Sequence, residues 1–300
     1  MREAPERRLE TLQASARLRS TARGQAENGA SRPMASARAC APVLLARFSL
    51  GGSVVLPRES HEDDVLHALP KTAGVNVAVW NLQHKGAELI ENGKLDFGGP
   101  VFGPMAIPGA YSVRLTVGGT QLTRKFNLLP DPRVQLAEAD YKAQLATALA
   151  IRDDVTRLTL LVRQLRSVRQ QLKVRNDLLK NDAKAAQLTK DSEAMMKKLD
   201  DLEKQIHNPE AEVVYDILAF KGGAKLYSRI ASLHDQAADG DGPPTQGVRE
   251  VYADQKKELD GYEAEMKKLL GELAGLNTAA KKLDLPHVVI PETAQLVSGK

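Results

Sequence analysis

The side chains able to do chemistry in this chain are six histidines and two adjacent acid pairs. The histidines are His61, His67, His84, His207, His234 and His287, and the acid pairs are Asp153-Asp154 and Asp200-Asp201. A helical metal site needs imidazoles about one turn apart, and no two of these histidines have that spacing. The densest group of potential ligands, His61-Glu62-Asp63-Asp64 with His67, stands in a stretch without apolar periodicity, so a metal site is not expected there. Neighbouring aspartates on a helix diverge, so neither acid pair forms the facing carboxylates that glycoside hydrolysis requires. HExxH, GxSxG, P-loop and dinucleotide-binding motifs are absent from the sequence. A single cysteine, Cys40, excludes an internal disulfide and a Cys-based metal cluster. The reading therefore assigns no catalytic, cofactor-binding or metal-ligating residue, no cofactor, and no enzymatic activity to the chain itself.

The elements around these residues are better defined than their chemistry. In Ile107–Arg133, Tyr111, Val113, Leu115 and Val117 alternate with Ser112, Arg114 and Thr116, the period of a half-buried strand. Gly118-Gly119 suits a two-residue hairpin turn, and Leu122, Phe126 and Leu128 restore the alternation, with Arg124 as its one break. Pro130 and Pro132 cannot donate to a ladder, so the sheet ends there. Upstream, Val75–Leu82 reads as a central strand carrying the only tryptophan, Trp80, as a core plug with its indole N–H satisfied. The alternative role for Trp80, a sugar-stacking platform, needs an exposed ring. A Gly/Pro-rich crossover, Phe97–Pro104, follows, and Phe48–Leu56 offers at most a weak substitute for further strands.

After Pro132 the apolar period lengthens to 3.5. A first helix is expected over about Ala137–Leu179, with Ile151, Val155, Leu158, Val162, Leu165 and Leu172 as its seam. A second covers about Ala185–Ile206, with Leu188, Ser192, Met195, Leu199, Leu202 and Ile206 in line, and His207-Asn208-Pro209 stops it. Within it Met195-Met196 falls at core spacing. A short apolar piece, Val213–Phe220, leads to a third helix over about Ala224–Ala238. Thr245 caps a fourth, about Gln246–Leu283, whose heptad runs from Val248 to Leu283. Helices one and four would each span roughly 55–65 Å, and two and three in series match that length. The economical packing is an elongated antiparallel bundle, three-helical in cross-section.

Composition narrows the partners. Aromatics make up 4% of the 300 residues, low for a chain dominated by a sandwich. The net charge is +4, but residues 1–60 hold ten Arg against five Glu, which leaves residues 61–300 at −1. Without a basic face in the folded part, nucleic acid is not an expected partner. No apolar run reaches the roughly 18 residues of a membrane span. The apolar stretch Ala39–Leu50 contains Arg47 and lies far from Met1, so it makes a poor signal peptide. Residues 1–38 read as disordered. Lysine is absent before Lys71 and abundant after it, a switch that points to a misassigned start, a truncated gene or an Arg-biased tail.

Trp80-Asn81-Leu82, Gly103-Pro104, Ala106–Leu115, Asp131-Pro132-Arg133 and the following long helix resemble a bacterial arrangement. It is similar to the C-terminal region of proteins with BNR or sortilin-like β-propeller repeats, often labelled glycosyl hydrolases. There a propeller is followed by an immunoglobulin-like sandwich with a W-[DN]-L strand and an A-x-P-G-x-Y-x-V-x-L hairpin, then a helical bundle with a Pro-Thr cap like Pro244-Thr245. The resemblance covers about Leu69 to Leu285. It implies an exported, periplasmic parent whose activity would belong to the propeller, which this chain lacks, so no catalytic residue carries over. The expected organisation is an α+β multidomain chain. It comprises an atypical or disordered segment over 1–68, an immunoglobulin-like β-sandwich over 69–133, an antiparallel three- to four-helix bundle over 134–285, and a tail over 286–300. The expected function is a non-catalytic accessory or interaction module, partnered by a protein or by its own propeller, with an oligomer compatible. The alternatives are a fragment of a glycosyl-hydrolase-like enzyme and a stand-alone coiled-coil adaptor.

Overall fold

The computed structural model describes residues 45–50, 52–55, 80–117, 120–219 and 222–292. The chain mixes long helices with a few short antiparallel strands and divides into two compact units. One takes in residues 1–85 and 106–135, the other residues 86–105 and 136–300. The segment 86–105, within the span read as sandwich, thus belongs to the helical unit. The 1–44 tail, the His61–His67 group, residues 75–79 of the expected strand, the Gly118-Gly119 turn and residues 293–300 lie outside the described residues.

The strands are β1 (Leu45–Leu50), β2 (Gly52–Val55), β3 (Gln83–Lys85), β4 (Phe102–Met105), β5 (Gly109–Val117) and β6 (Thr120–Leu128). Four of them form an antiparallel sheet in the order β2-β1-β5-β6. β5 and β6 pair from Gly109↔Leu128 to Val117↔Thr120, the register the alternation predicts, and the ladder stops before Pro130. On one face Tyr111, 3% exposed, stacks on its cross-strand partner Phe126 with ring centroids 5.7 Å apart. Trp80 lies 5.9 Å from the Tyr111 ring on a centroid basis. β1 pairs with the free side of β5, Phe48 opposite Val113, and β2 pairs with β1, so Phe48–Leu50 and Gly52–Val55 contribute more to the sheet than their pattern suggests.

Trp80-Asn81-Leu82 is not a strand, contrary to expectation. It is a tight turn in which the Asn81 side chain takes the Gln83 backbone N–H at 3.0 Å. Leu82 adopts φ +65°, and the Trp80 indole N–H donates to the Gln83 carbonyl at 3.0 Å. An asparagine that mimics a backbone turn overrides the β propensity of its apolar neighbours. The indole N–H is satisfied, but Trp80 is only half-buried and is not the core plug expected.

The helices are α1 (Glu138–Leu179), α2 (Ala186–Ile206), α3 (Val214–Ala219), α4 (Leu226–Ala238) and α5 (Gln246–Lys282), with a 3₁₀ turn at Ala183–Ala185. The expected seams of the first three helices are buried: Ile151, Val155, Leu158, Val162, Leu165 and Leu172 in α1, Leu188 through Ile206 in α2, and Leu226, Ile230, Leu233 and Ala237 in α4. Of the α5 heptad, Gln255, Leu259, Met266, Leu269, Leu273 and Ala280 are buried, whereas Leu283 is exposed. Asp182 opens the 3₁₀ turn by accepting the Lys184 N–H, and Thr245 caps α5 by accepting the Val248 N–H.

Cross-helix contacts set the directions. Arg166 meets Glu203 while Asn176 meets Thr189, so α1 and α2 are antiparallel. Asp154 meets Tyr252 while Arg157 meets Glu263, so α1 and α5 run parallel. Gln144, near the start of α1, reaches the Ala238 carbonyl at the end of α4. α2 and α4 in series therefore return along α1, and α5 runs forward again.

Residues 86–105 fasten to this unit mostly through main chain. The Glu88 carbonyl accepts from Thr159 Oγ1 at 2.8 Å, and the Ile90 N–H donates to Tyr227 Oη at 3.2 Å. At Gly98, φ is +97° and an added Cβ would stand 2.5 Å from the Ala231 carbonyl oxygen of α4. Gly98→Ala should therefore lower unfolding stability by about 1–3 kcal/mol. Gly271→Ala, in a helix position with open space around it, should raise it by up to about 1 kcal/mol. Urea unfolding followed by helical circular dichroism measures both, and opposite signs are the expected result.

Candidate functional site

The densest convergence of ionisable side chains lies where α2 ends against α1. Glu203 occupies the last turn of α2 and His207 follows its end, so the i,i+4 spacing stacks the imidazole on the carboxylate. His207 Nε2 lies 3.0 Å from Glu203 Oε1. From α1, Arg166 Nε donates to Glu203 Oε1 at 2.7 Å and Arg169 Nη1 donates to Oε2 at 2.8 Å. Arg169 also pairs with Asp200, and Arg166 Nη1 donates to the Glu91 carbonyl at 2.8 Å. The side chains of Glu203 and His207 are 3% and 1% exposed, so the pair is shielded from water. Tyr227 of α4 sets its ring edge-on to the imidazole, 6.4 Å between centroids.

The electrostatics of this cluster favour permanent charge. Burial pushes the Glu203 carboxyl up, but hydrogen bonds from His207 and Arg166 and the charges of Arg166 and Arg169 outweigh it and hold it at about 2. A carboxyl with such a pKa is a fixed anion at neutral pH and a poor proton carrier. Burial raises the Tyr227 phenol to about 12, against the Ile90 N–H that favours its ionised form. Nδ1 of His207 is buried and has no hydrogen-bond partner among the described residues.

A second cluster joins α1 to α5. Asp154 Oδ2 accepts from Tyr252 Oη at 2.7 Å and Lys256 Nζ at 3.3 Å, and Oδ1 accepts from Arg157 Nη1 at 2.6 Å. Arg157 also holds Glu263 at 2.6 Å and Asp260 at 3.1 Å. Burial and the neighbouring Asp154 carboxylate both raise the Tyr252 pKa, which keeps the phenol a donor. Beside this cluster, Arg157, Leu160, Leu161, Gln164, Glu263 and Met266 line part of a cleft of about 220 Å³.

The residues weighed from the sequence end in separate places. Asp153 pairs with Arg152 on the surface while Asp154 turns inward, so the pair diverges as its spacing predicts. Asp200 and Asp201 diverge in the same way, toward Arg169 and Lys197. Met195 is buried in the core and Met196 packs against it. His234 Nδ1 lies 3.2 Å from Asp235, whose other oxygen accepts the Gly99 N–H. Among the described residues no group of three or more His, Cys, Asp or Glu side chains could hold a metal ion. The sequence pattern marks His207 as a helix stop and does not point to the Glu203 cluster. Its available signal was the i,i+4 Glu-His pair opposite two arginines three residues apart.

Comparison with known proteins finds no family model, no curated protein and no solved structure that matches this chain. Among the described residues no helix is long and apolar enough to cross a membrane.

The depressed Glu203 pKa sets the direction of the acid response. Its contribution is complete above the usual carboxyl value of 4.5 and is lost as pH falls through about 2. That contribution is on the order of 3 kcal/mol. Glu203→Gln should destabilise the fold at pH 7 by about 3–5 kcal/mol, because it leaves Arg166 and Arg169 short of a buried counter-charge. It should also flatten the loss of stability between pH 4.5 and 2. Urea titrations of both proteins across that range measure the difference.

Proposed function

We propose that the chain is a non-catalytic accessory module: a small immunoglobulin-like sandwich joined to a helical bundle, serving assembly or partner binding. The observation that carries this reading is the use made of the convergent charged groups. Both carboxylate oxygens of Glu203 are occupied by arginines of the neighbouring α1, and those of Asp154 by Arg157 of its own helix and by Tyr252 and Lys256 of α5. Groups bonded in this way brace helices against one another, and their protons and lone pairs are already committed.

The sandwich half of the reading draws support from Tyr111. Its hydroxyl donates to the Ile107 carbonyl four residues upstream at 2.5 Å, the backward bond of a tyrosine corner at the entry to a strand. The Trp80–Tyr111–Phe126 ring series gives that unit an aromatic centre. The resemblance to the region that follows a BNR or sortilin-like propeller supplies the partner, which is a propeller, and an exported setting.

Two measurements test the proposal. The DNA upstream of Met1 should encode propeller repeats, in frame or shifted. That propeller, expressed separately, should co-purify with the chain. Absence of propeller repeats from every upstream frame, together with a purified chain that captures no partner, would overturn it. Within the sandwich, Tyr111→Phe removes the corner bond and should cost about 1–2 kcal/mol in a urea melt followed by Trp80 fluorescence.

A further inference from the structure

The four-stranded sheet ends in two unlike edges. β2 is four residues long and offers little to an incoming chain, whereas β6 is nine residues long. The β6 sequence, TQLTRKFNL, contains no proline or glycine to interrupt a further ladder. Among the described residues no strand pairs with its outer side. The outward N–H and C=O groups of β6 therefore form an edge to which an extended segment can add.

The charges beside this edge are almost all of one sign. The described residues of the sheet unit carry Arg47, Lys85, Arg114, Arg124, Lys125 and Arg133 against the single acid Asp131. The balance of −1 over residues 61–300 conceals this separation. On α1, Arg152, Arg157, Arg163, Arg166 and Arg169 each hold a carboxylate. Arg114, Arg124 and Lys125 are exposed and hold none among the described residues. The ladder sets Thr123 opposite Arg114 and Lys125 opposite Ser112, so Arg114 and Lys125 are diagonal neighbours on one face. Across β5 and β6 that face has no aromatic ring, since Tyr111 and Phe126 stand on the other with Leu122 and Arg124.

Sign and composition select the occupant. Two copies of β6 paired antiparallel over most of their length would bring Arg124 and Lys125 against their counterparts, and like charges across a ladder repel. Single-stranded nucleic acid is held by base stacking as well as by cations, and this face has no ring to stack on. We propose that β6 is a strand-addition site for an acidic extended segment of a partner protein. Its carboxylates, on alternate residues, meet Lys125 and Arg114, and the apolar residues between them lie beside Leu122 and Phe126. This inference deepens the accessory-module reading and rests on it in taking the partner to be a protein.

The test uses the full chain and a fluorescent nonapeptide of alternating glutamate and valine, with a lysine–valine counterpart, followed by fluorescence anisotropy at low ionic strength. The acidic peptide should bind about tenfold or more tightly than the basic one. Arg114→Glu with Lys125→Glu should weaken that binding about tenfold or more. Lys142→Glu with Lys173→Glu, an equal change of charge at exposed positions of α1, should alter it by less than about twofold. Methylating the peptide nitrogens along one edge should abolish binding, because strand addition uses those N–H groups. The proposal is overturned if the two peptides bind alike, if the two double variants act alike, or if the methylated peptide binds as well as its parent. Tighter binding of a thymidine oligonucleotide of equal length also overturns it and assigns the cations to phosphate. Trp80 fluorescence reports whether the sheet unit is folded; if the Glu variant is not, Arg114→Gln with Lys125→Gln decides by the same comparison. A chain that binds the acidic peptide but captures no propeller leaves this inference standing and removes the propeller, whereas capture of the propeller without peptide binding does the reverse.

Discussion

The buried stripe of α1, from Ala148 to Asn176 and roughly 43 Å long, is a constraint that neither helix returning along it satisfies alone. Forty-two residues of helix extend roughly 63 Å, while α2 with 21 and α4 with 13 extend roughly 32 and 20 Å. The stripe is therefore covered by two helices in series, and a junction between them falls over the middle of α1. A junction exposes helix-terminal groups to an apolar seam, which is costly unless polar partners meet them. Glu203, His207 and Tyr227 stand at that junction, with Arg166 and Arg169 facing them from α1. The charged cluster is thus a consequence of the length mismatch. It permits an interruption where the apolar seam alone would demand continuity.

The helical half was legible in the sequence because one physical signal, apolar spacing, both marks the helix and names its buried face. Ile151 through Leu172, Leu188 through Ile206 and Leu226 through Ala237 were readable in this way, and all are buried. Segment 86–105 left no such trace. It attaches through carbonyls of Glu88, Leu89 and Glu91 to Thr159, Arg163 and Arg166, and a main-chain acceptor is the same whatever residue bears it. The same reasoning explains Trp80-Asn81-Leu82, where a side-chain-to-backbone bond of Asn81 decides the conformation and a hydrophobic pattern does not report it.

The candidate site was hidden for a different reason. His207 stands before Asn208-Pro209, a combination that reads as a terminator, and it does terminate α2. Its second role depends on which helix returns to it and at what height. Only the pairing of Arg166 with Glu203 supplies that register. Charge patterns along a single helix identify neighbours three or four residues away, whereas the partners of Glu203 lie 34 and 37 positions back in the chain.

Beyond α5 the main chain is held by two carboxamides, Asn277 on the Val288 N–H and carbonyl and Gln171 on those of Val289, and this has an evolutionary corollary. Because they address the peptide unit, the chemical identity of most residues in the segment they hold is of little consequence to the grip. The side chains of His287, Val289 and Ile290 are exposed and free to drift. Position 288 must stay small and aliphatic to enter the core, and positions 171 and 277 must keep an amide, since a carboxylate in either place would meet a carbonyl without a proton to offer. Divergent descendants of this chain would therefore retain two polar residues on separate helices and a single valine-like residue between them, in a segment otherwise stripped of resemblance.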